Sequence, residues 1–140
     1  MRYPNTFTSE PLERELIIVG KEANVYVREN IESHTVEDEN GEHTEWTCIE
    51  HHRQFVATPN FAITDALVEQ MFAADYADEA KAVRAKRNLL LEESDKEMLI
   101  DRIEREDEQY VNAVKAYRQA LRDIPEQEGF PYDVVYPTKP

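Results

Sequence analysis

Four histidines, one cysteine and thirty carboxylates are the side chains in this 140-residue sequence that could bind a metal or move a proton. Whether they can do so depends on what places them. Asn40-Gly41 is the pair preferred by a two-residue hairpin turn, and the residues around it read as strands over 31–37 and 44–49. That turn sets Trp46 opposite Thr35, Cys48 opposite Ser33 and His43 opposite Asp38. His34 then lies four residues further along, roughly 13 Å away at about 3.3 Å per residue, too far to share one zinc ion with His43. His51 and His52 are neighbours and point to opposite faces of a strand. Cys48 stands alone, which rules out an internal disulfide, and between Trp46 and Ile49 it reads as a small core filler. With glycine only at 20, 41 and 129 there is no phosphate-cradling loop, and no Ser, His and acid fall in a nucleophile motif. The carboxylates follow a helix-surface pattern. The expectation is a non-enzymatic chain with no catalytic residue, no metal site and no cofactor.

The elements divide the chain into an N-terminal β region, residues 1–60, and a helical module with an extended C-terminal tail, residues 61–140. Residues 1–11, polar and with two prolines, read as a loose arm. Short strands follow at 16–19 and 24–28 around a turn at Gly20, then the Asn40-Gly41 hairpin, and 55–58 adds one more. From Ile63 the apolar period becomes helical. Thr64 or Asp65 caps a helix in which Leu67, Val68, Met71, Phe72, Tyr76, Ala80, Val83, Leu90 and Leu91 return at steps of three and four, and which reaches about Glu93. Ser94 with Glu97 reads as a capping box that starts a second helix at Asp95.

The last helix is the easiest to derive. Ile103, Tyr110, Val114, Tyr117, Leu121 and Ile124 make one apolar stripe. Pro125 lacks an amide proton and moves Ile124 out of helical geometry, so the helix stops near Arg122 or Asp123. Beyond it, Phe130, Tyr132, Val134 and Tyr136 alternate at period two among Pro125, Pro131, Pro137 and Pro140, the pattern of an extended strap with one adhesive face. Burying those four side chains contributes roughly 6 to 12 kcal/mol, and ordering about eight backbone residues costs roughly 8 to 16. The strap is therefore ordered only by docking, on its own helices or on a neighbouring chain. The fold class that results is α+β: a small antiparallel sheet, a long-helix hairpin and an extended Pro and aromatic strap. The side chains expected at a partner surface are Tyr110, Val114, Tyr117, Leu121, Phe130, Tyr132, Val134 and Tyr136.

Thirty acidic against sixteen basic residues give a net charge of −14, which repels nucleic acid and anionic membrane. No apolar run approaches the ~20 residues of a membrane span, and no apolar signal core follows Met1. Charge is uneven along the helices. Lys81, Arg84, Lys86 and Arg87 form a basic patch, whereas residues 92–108 are strongly acidic, and a second helix folded back on the first brings the two signs together.

Three stretches carry a resemblance: AVRAKRNLLLEESD (82–95), AYRQALRDIPEQEGFP (116–131) and VVYPTKP (134–140). Together they resemble the C-terminal module of tailed-bacteriophage tail assembly chaperones, which also ends many tail-fibre proteins. Lys96 stands where that pattern carries a Trp, and Tyr136 replaces its late Trp. A Pro-containing linker between the helical blocks gives way here to the charged run 97–108. The resemblance implies a non-enzymatic phage tail protein, a structural or assembly component of tail, baseplate or fibre that binds other tail or tail-fibre subunits. The alternative it implies is a chaperone absent from the mature virion. A homo-oligomer is compatible with either. The site of action would be the host cytoplasm during assembly, or the virion tail for a structural component.

Overall fold

In the computed structural model, which describes Met1–Pro140, four antiparallel strands come first: β1 (Arg2–Phe7), β2 (Arg14–Val19), β3 (Glu22–Asp38) and β4 (Gly41–Val56). They form one sheet in the order β1-β4-β3-β2. Helices α1 (Asp65–Asp95), α2 (Ile100–Ile103) and α3 (Glu108–Arg122) follow, so the expected α+β class holds. The chain divides into two compact units, Met1–Asp75 and Tyr76–Pro140, the division falling within α1.

In the first unit, turn chemistry sets the strand register. Val19 pairs with Glu22 across Gly20 and Lys21, and Gly20 takes φ +61°, a left-handed conformation that costs glycine little. At the second hairpin the closing pair is Asp38 with Gly41, which makes Glu39 and Asn40 the turn residues in place of Asn40 and Gly41. The Asp38 carboxylate accepts the Asn40 N–H at 2.7 Å, an Asx turn that reverses the chain one residue earlier. Ser33 therefore faces Trp46, and Thr35 faces Thr44. From the turn to the pair Glu32 with Thr47 every partner moves by two residues, so along that stretch the two faces keep their membership.

Three expected boundaries also shift. The strands at 24–28 and 31–37 are one strand, β3, because the break between them is a register shift at Glu29/Glu32 in which Asn30 takes φ +53°. Those at 44–49 and 55–58 are likewise one strand, β4, which runs through the polar His51 to Gln54. The expected loose arm contains strand β1, in register from Arg2 opposite His51 to Phe7 opposite Trp46. Pro4 is tolerated there because β1 is an edge strand, where a missing ladder donor is harmless. Val25, Val27, Val68 and Met71 are the buried centre, with Leu16, Phe55 and Phe72 packed around them. Thr64 caps α1 by accepting the Leu67 N–H on Oγ1 at 3.2 Å.

In the second unit, α1 does reach beyond Glu93, but the capping box after it does not form. Ser94 Oγ donates to the Leu91 carbonyl at 2.7 Å, and Glu97 pairs with Arg102 at 3.0 Å. A 3-10 turn at Lys96–Met98, an extended Leu99 and the four-residue α2 stand where one continuous helix was expected. Asp107 then caps α3, accepting the Tyr110 N–H at 2.9 Å. Helix α3 ends at Arg122, where Pro125 dictates, and a 3-10 turn covers Ile124–Glu126. Val83, Tyr117, Leu121 and Ile124 form the core of this unit. No helix is long and apolar enough to cross a membrane.

Candidate partner-binding surface

The polar groups of the first unit that could do chemistry are tied to one another. Arg28 is buried, and its guanidinium donates to Glu50 at 2.6 Å, to Glu15 at 2.8 Å and to the Leu12 carbonyl at 2.9 Å. Phe7 lies under the same guanidinium at 4.8 Å. Glu50 also accepts from Tyr3 Oη at 2.5 Å and from Asn5 at 3.2 Å. Burial alone would raise the Glu50 carboxyl, but the donors from Tyr3 and Arg28 outweigh it and hold the group below the ordinary range. Burial and the Glu50 carboxylate push the Tyr3 phenol up to about 12.

On the opposite face His51 donates or accepts at both ring nitrogens, Nδ1 to Asp75 at 2.7 Å and Nε2 to Glu29 at 2.9 Å. Asp75 also receives Arg53 at 2.8 Å and the Met1 ammonium at 2.6 Å. Against the effect of burial, those donors hold its carboxyl below the usual range. A His–Asp pair of this kind orients a general base in many enzymes, but here the outer nitrogen meets Glu29 and the ring is buried. His52, on the other face, stacks on Tyr26 at 4.5 Å. Cys48 is buried and its thiol is pushed up by burial, which disfavours the reactive thiolate. No group of three or more His, Cys, Asp or Glu is arranged to hold a metal ion. Neither buried network was legible beforehand, since each joins residues far apart in sequence.

In the second unit, α3 packs on the C-terminal part of α1. Val114, Tyr117 and Leu121 are buried, together with Val111, which the stripe read from the sequence omitted. Arg118 fastens the two helices, donating to the Leu91 carbonyl at 3.0 Å and pairing with Asp95 at 2.8 Å. Tyr110 is half-buried and donates to Glu97 at 3.1 Å.

The segment after α3 does not continue as one straight strap. Asp133 N–H donates to the Gly129 carbonyl at 2.7 Å and closes a turn there. A Cβ on residue 129 would stand 2.0 Å from the Asp133 carbonyl oxygen, so the turn requires glycine. Pro131 is fully buried. Gln127 then acts as a substitute strand for the returning chain, its Oε1 accepting the Val135 N–H and its Nε2 donating to the Val135 carbonyl, both at 2.8 Å.

Phe130, Val134 and Tyr136 pack, half-buried, against the core of their own unit. Tyr132 is 37% exposed, and its ring meets Tyr76 edge-on at 6.2 Å. Part of the basic patch turns toward these rings. Arg84 lies over Phe130 at 5.2 Å and Lys86 over Tyr136 at 4.0 Å. The acidic run draws its partners instead from Arg102, Arg118 and Lys139. Of the eight expected contact residues, Val114, Tyr117 and Leu121 thus lie inside the unit, Tyr132 is exposed, and the other four are half-buried at its rim.

The class these observations define is a two-unit α+β chain whose C-terminal unit fastens an aromatic segment onto a helical hairpin. Residues 80–140 match the sequence model of a family described as phage tail assembly chaperone protein. The resemblance carried by residues 82–95, 116–131 and 134–140 is thereby borne out, and a phage tail assembly chaperone family is supported for this part of the chain. Residues 1–79 lie outside the match. No curated protein and no solved structure matched the chain.

Proposed function

We propose that this chain is a non-enzymatic phage tail protein that binds other tail or tail-fibre subunits through its C-terminal unit. The observation that carries the reading is the family match over residues 80–140, which falls on the unit that presents the aromatic segment. The contact surface proposed is the one expected from sequence, with a division of labour. Val114, Tyr117 and Leu121 hold the hairpin together, and Tyr110, Phe130, Tyr132, Val134 and Tyr136 form the rim that a partner meets. Val135, 73% exposed, extends that rim. Residues 137–140, which follow the part held by Gln127, would lie along the partner as the strap. A net charge of −14 suits a basic protein partner and disfavours nucleic acid and anionic membrane.

Two forms of this role differ in where the chain ends up. As a structural component it stays in tail, baseplate or fibre. As an assembly chaperone it works in the host cytoplasm, masks adhesive surfaces of a tail protein and leaves before the virion is complete. The description of the matched family favours the second form. Quantitative mass spectrometry of purified virions separates them: stoichiometric amounts support the structural form, and absence supports the chaperone. A chain that co-purifies with no tail protein from infected cells and is also missing from virions would contradict both.

A further inference from the structure

Pro137, Thr138, Lys139 and Pro140 make a P-x-x-P pattern with one cation inside it. At three residues per turn, a polyproline II segment presents both prolines on the same side. The same unit contains a groove of ≈ 290 Å³ between Glu79, Ala82 and Lys86 on α1 and Tyr132, Asp133 and Tyr136 on the returning segment. The α1 residues share a face because helix positions three and four apart are neighbours. From Glu79 to Lys86 that face runs about 10 Å at 1.5 Å per residue. One polyproline II turn rises about 9 Å, so the groove accommodates about one turn.

The lining selects the same chemistry. The Tyr132 and Tyr136 rings give the groove an aromatic wall of the kind on which proline-rich segments dock, and the buried Pro131 packs behind it. The wall offers no free backbone at Val135, since Gln127 already takes both its N–H and its carbonyl. A strand partner would need those groups, whereas a polyproline II segment makes no backbone ladder. Glu79 and Asp133 are exposed acids without a salt bridge, one on each wall, and they complement a cation carried by the occupant. Lys86, at the end of the groove, lies over the Tyr136 ring.

A chain cannot fill its own groove with this segment. Pro137 follows directly on Tyr136, itself part of the wall, and the tail runs on to Glu97, where Lys139 Nζ stands 4.0 Å from the carboxylate. That contact is at the outer limit of an ion pair and half exposed, so it holds the tail weakly. We infer that the groove formed by Glu79, Ala82, Asp133 and Tyr136 receives residues 137–140 of a second copy of this chain, with Lys139 between the two carboxylates. This goes beyond the binding of tail subunits. Because the same rings form the proposed rim, copies engaged with one another cover the surface offered to a tail protein.

The test is sedimentation equilibrium of the purified full chain and of two variants. Ala82→Arg obstructs the groove and opposes Lys139 at an exposed helix position where arginine is well tolerated. Pro137→Ala with Pro140→Ala removes the docking rings from the tail. Circular dichroism and thermal melting establish that both variants fold. The wild-type chain is expected to gain mass with concentration, and each variant alone is expected to lose that gain. An equimolar mixture of the two, which restores one intact groove facing one intact tail, is expected to recover heterodimer. A wild-type chain that stays monomeric throughout overturns the inference, and if it still takes up a synthetic Tyr-Pro-Thr-Lys-Pro peptide, the groove belongs to a segment of another protein. Folded variants that associate like wild type overturn it too. No tail protein is present in these samples, so the outcome is independent of the proposed function.

Discussion

Replacing Gln127 with alanine removes the two hydrogen bonds that hold Val135 and leaves the packed core of the C-terminal unit in place. A hydrogen bond contributes about 0.5–1.5 kcal/mol net, so the pair is worth about 1–3 kcal/mol. Both bonds are exposed, which favours the lower part of that range. The cost should fall on local opening of residues 134–140, because Leu121 and Ile124 are buried without help from Gln127. At 1.4 kcal/mol per factor of ten, amide exchange at Val135 should accelerate about 5- to 140-fold. Exchange at Leu121, in the core, should stay as in wild type. Nuclear magnetic resonance exchange on the full chain reads both amides in one sample. If Val135 exchanges no faster in the variant, the clamp contributes nothing. A rise at Leu121 of the same size would mean that the segment and the helical core open together, refuting the local reading.

Leu121→Ala, at a site with no exposure, should destabilise the C-terminal unit by about 2–5 kcal/mol in denaturant titration; no effect would place this side chain outside the core. Gly129→Ala sets a Cβ against the Asp133 carbonyl oxygen and should cost about 1–3 kcal/mol, read as a lower melting temperature. On the acid side, the Asp75 and Glu50 carboxyls lie below their ordinary values in the folded chain, so their contribution is complete above those values and is lost as pH falls through the lowered ones. On the alkaline side, the Tyr3 phenol is raised from 10.0 to about 12, so its contribution is complete below pH 10 and disappears between 10 and 12. A melting series across that window should fall in wild type and flatten in Tyr3→Phe.

What could be read in advance followed signals that act over a few residues. Pro125 stops α3 because it lacks a donor, Thr64 starts α1 because its hydroxyl caps it, and Gly20 permits a turn. The Asn40-Gly41 signal located the hairpin but misplaced its register, because the Asp38 carboxylate competes for the turn. Strand β1 was hidden by Pro4 and by its polar composition, and only pairing with β4 orders it. The capping box at Ser94 failed for a tertiary reason: Arg118, brought in by α3, donates to the Ser94 hydroxyl at 2.5 Å.

The surface was legible in part. Period three and four found Val114, Tyr117 and Leu121 but could not say whether their partner was α1 or another protein. Period two at Phe130 to Tyr136 suggested a straight segment, and the turn fixed by Gly129 and the clamp at Gln127 leave no trace in hydrophobic patterning. Long-range polar contacts such as Arg28 with Glu50 and His51 with Asp75 have no periodic signature.

The most direct measurement of the central claim is the infectious titre of a phage whose copy of this chain stops after Asp123, which keeps the entire sheet unit and removes the aromatic segment. The expected result is loss of assembled tails and a collapse in titre. A full yield of infectious particles from the shortened chain would contradict the claim that this protein acts by binding tail subunits through its C-terminal unit.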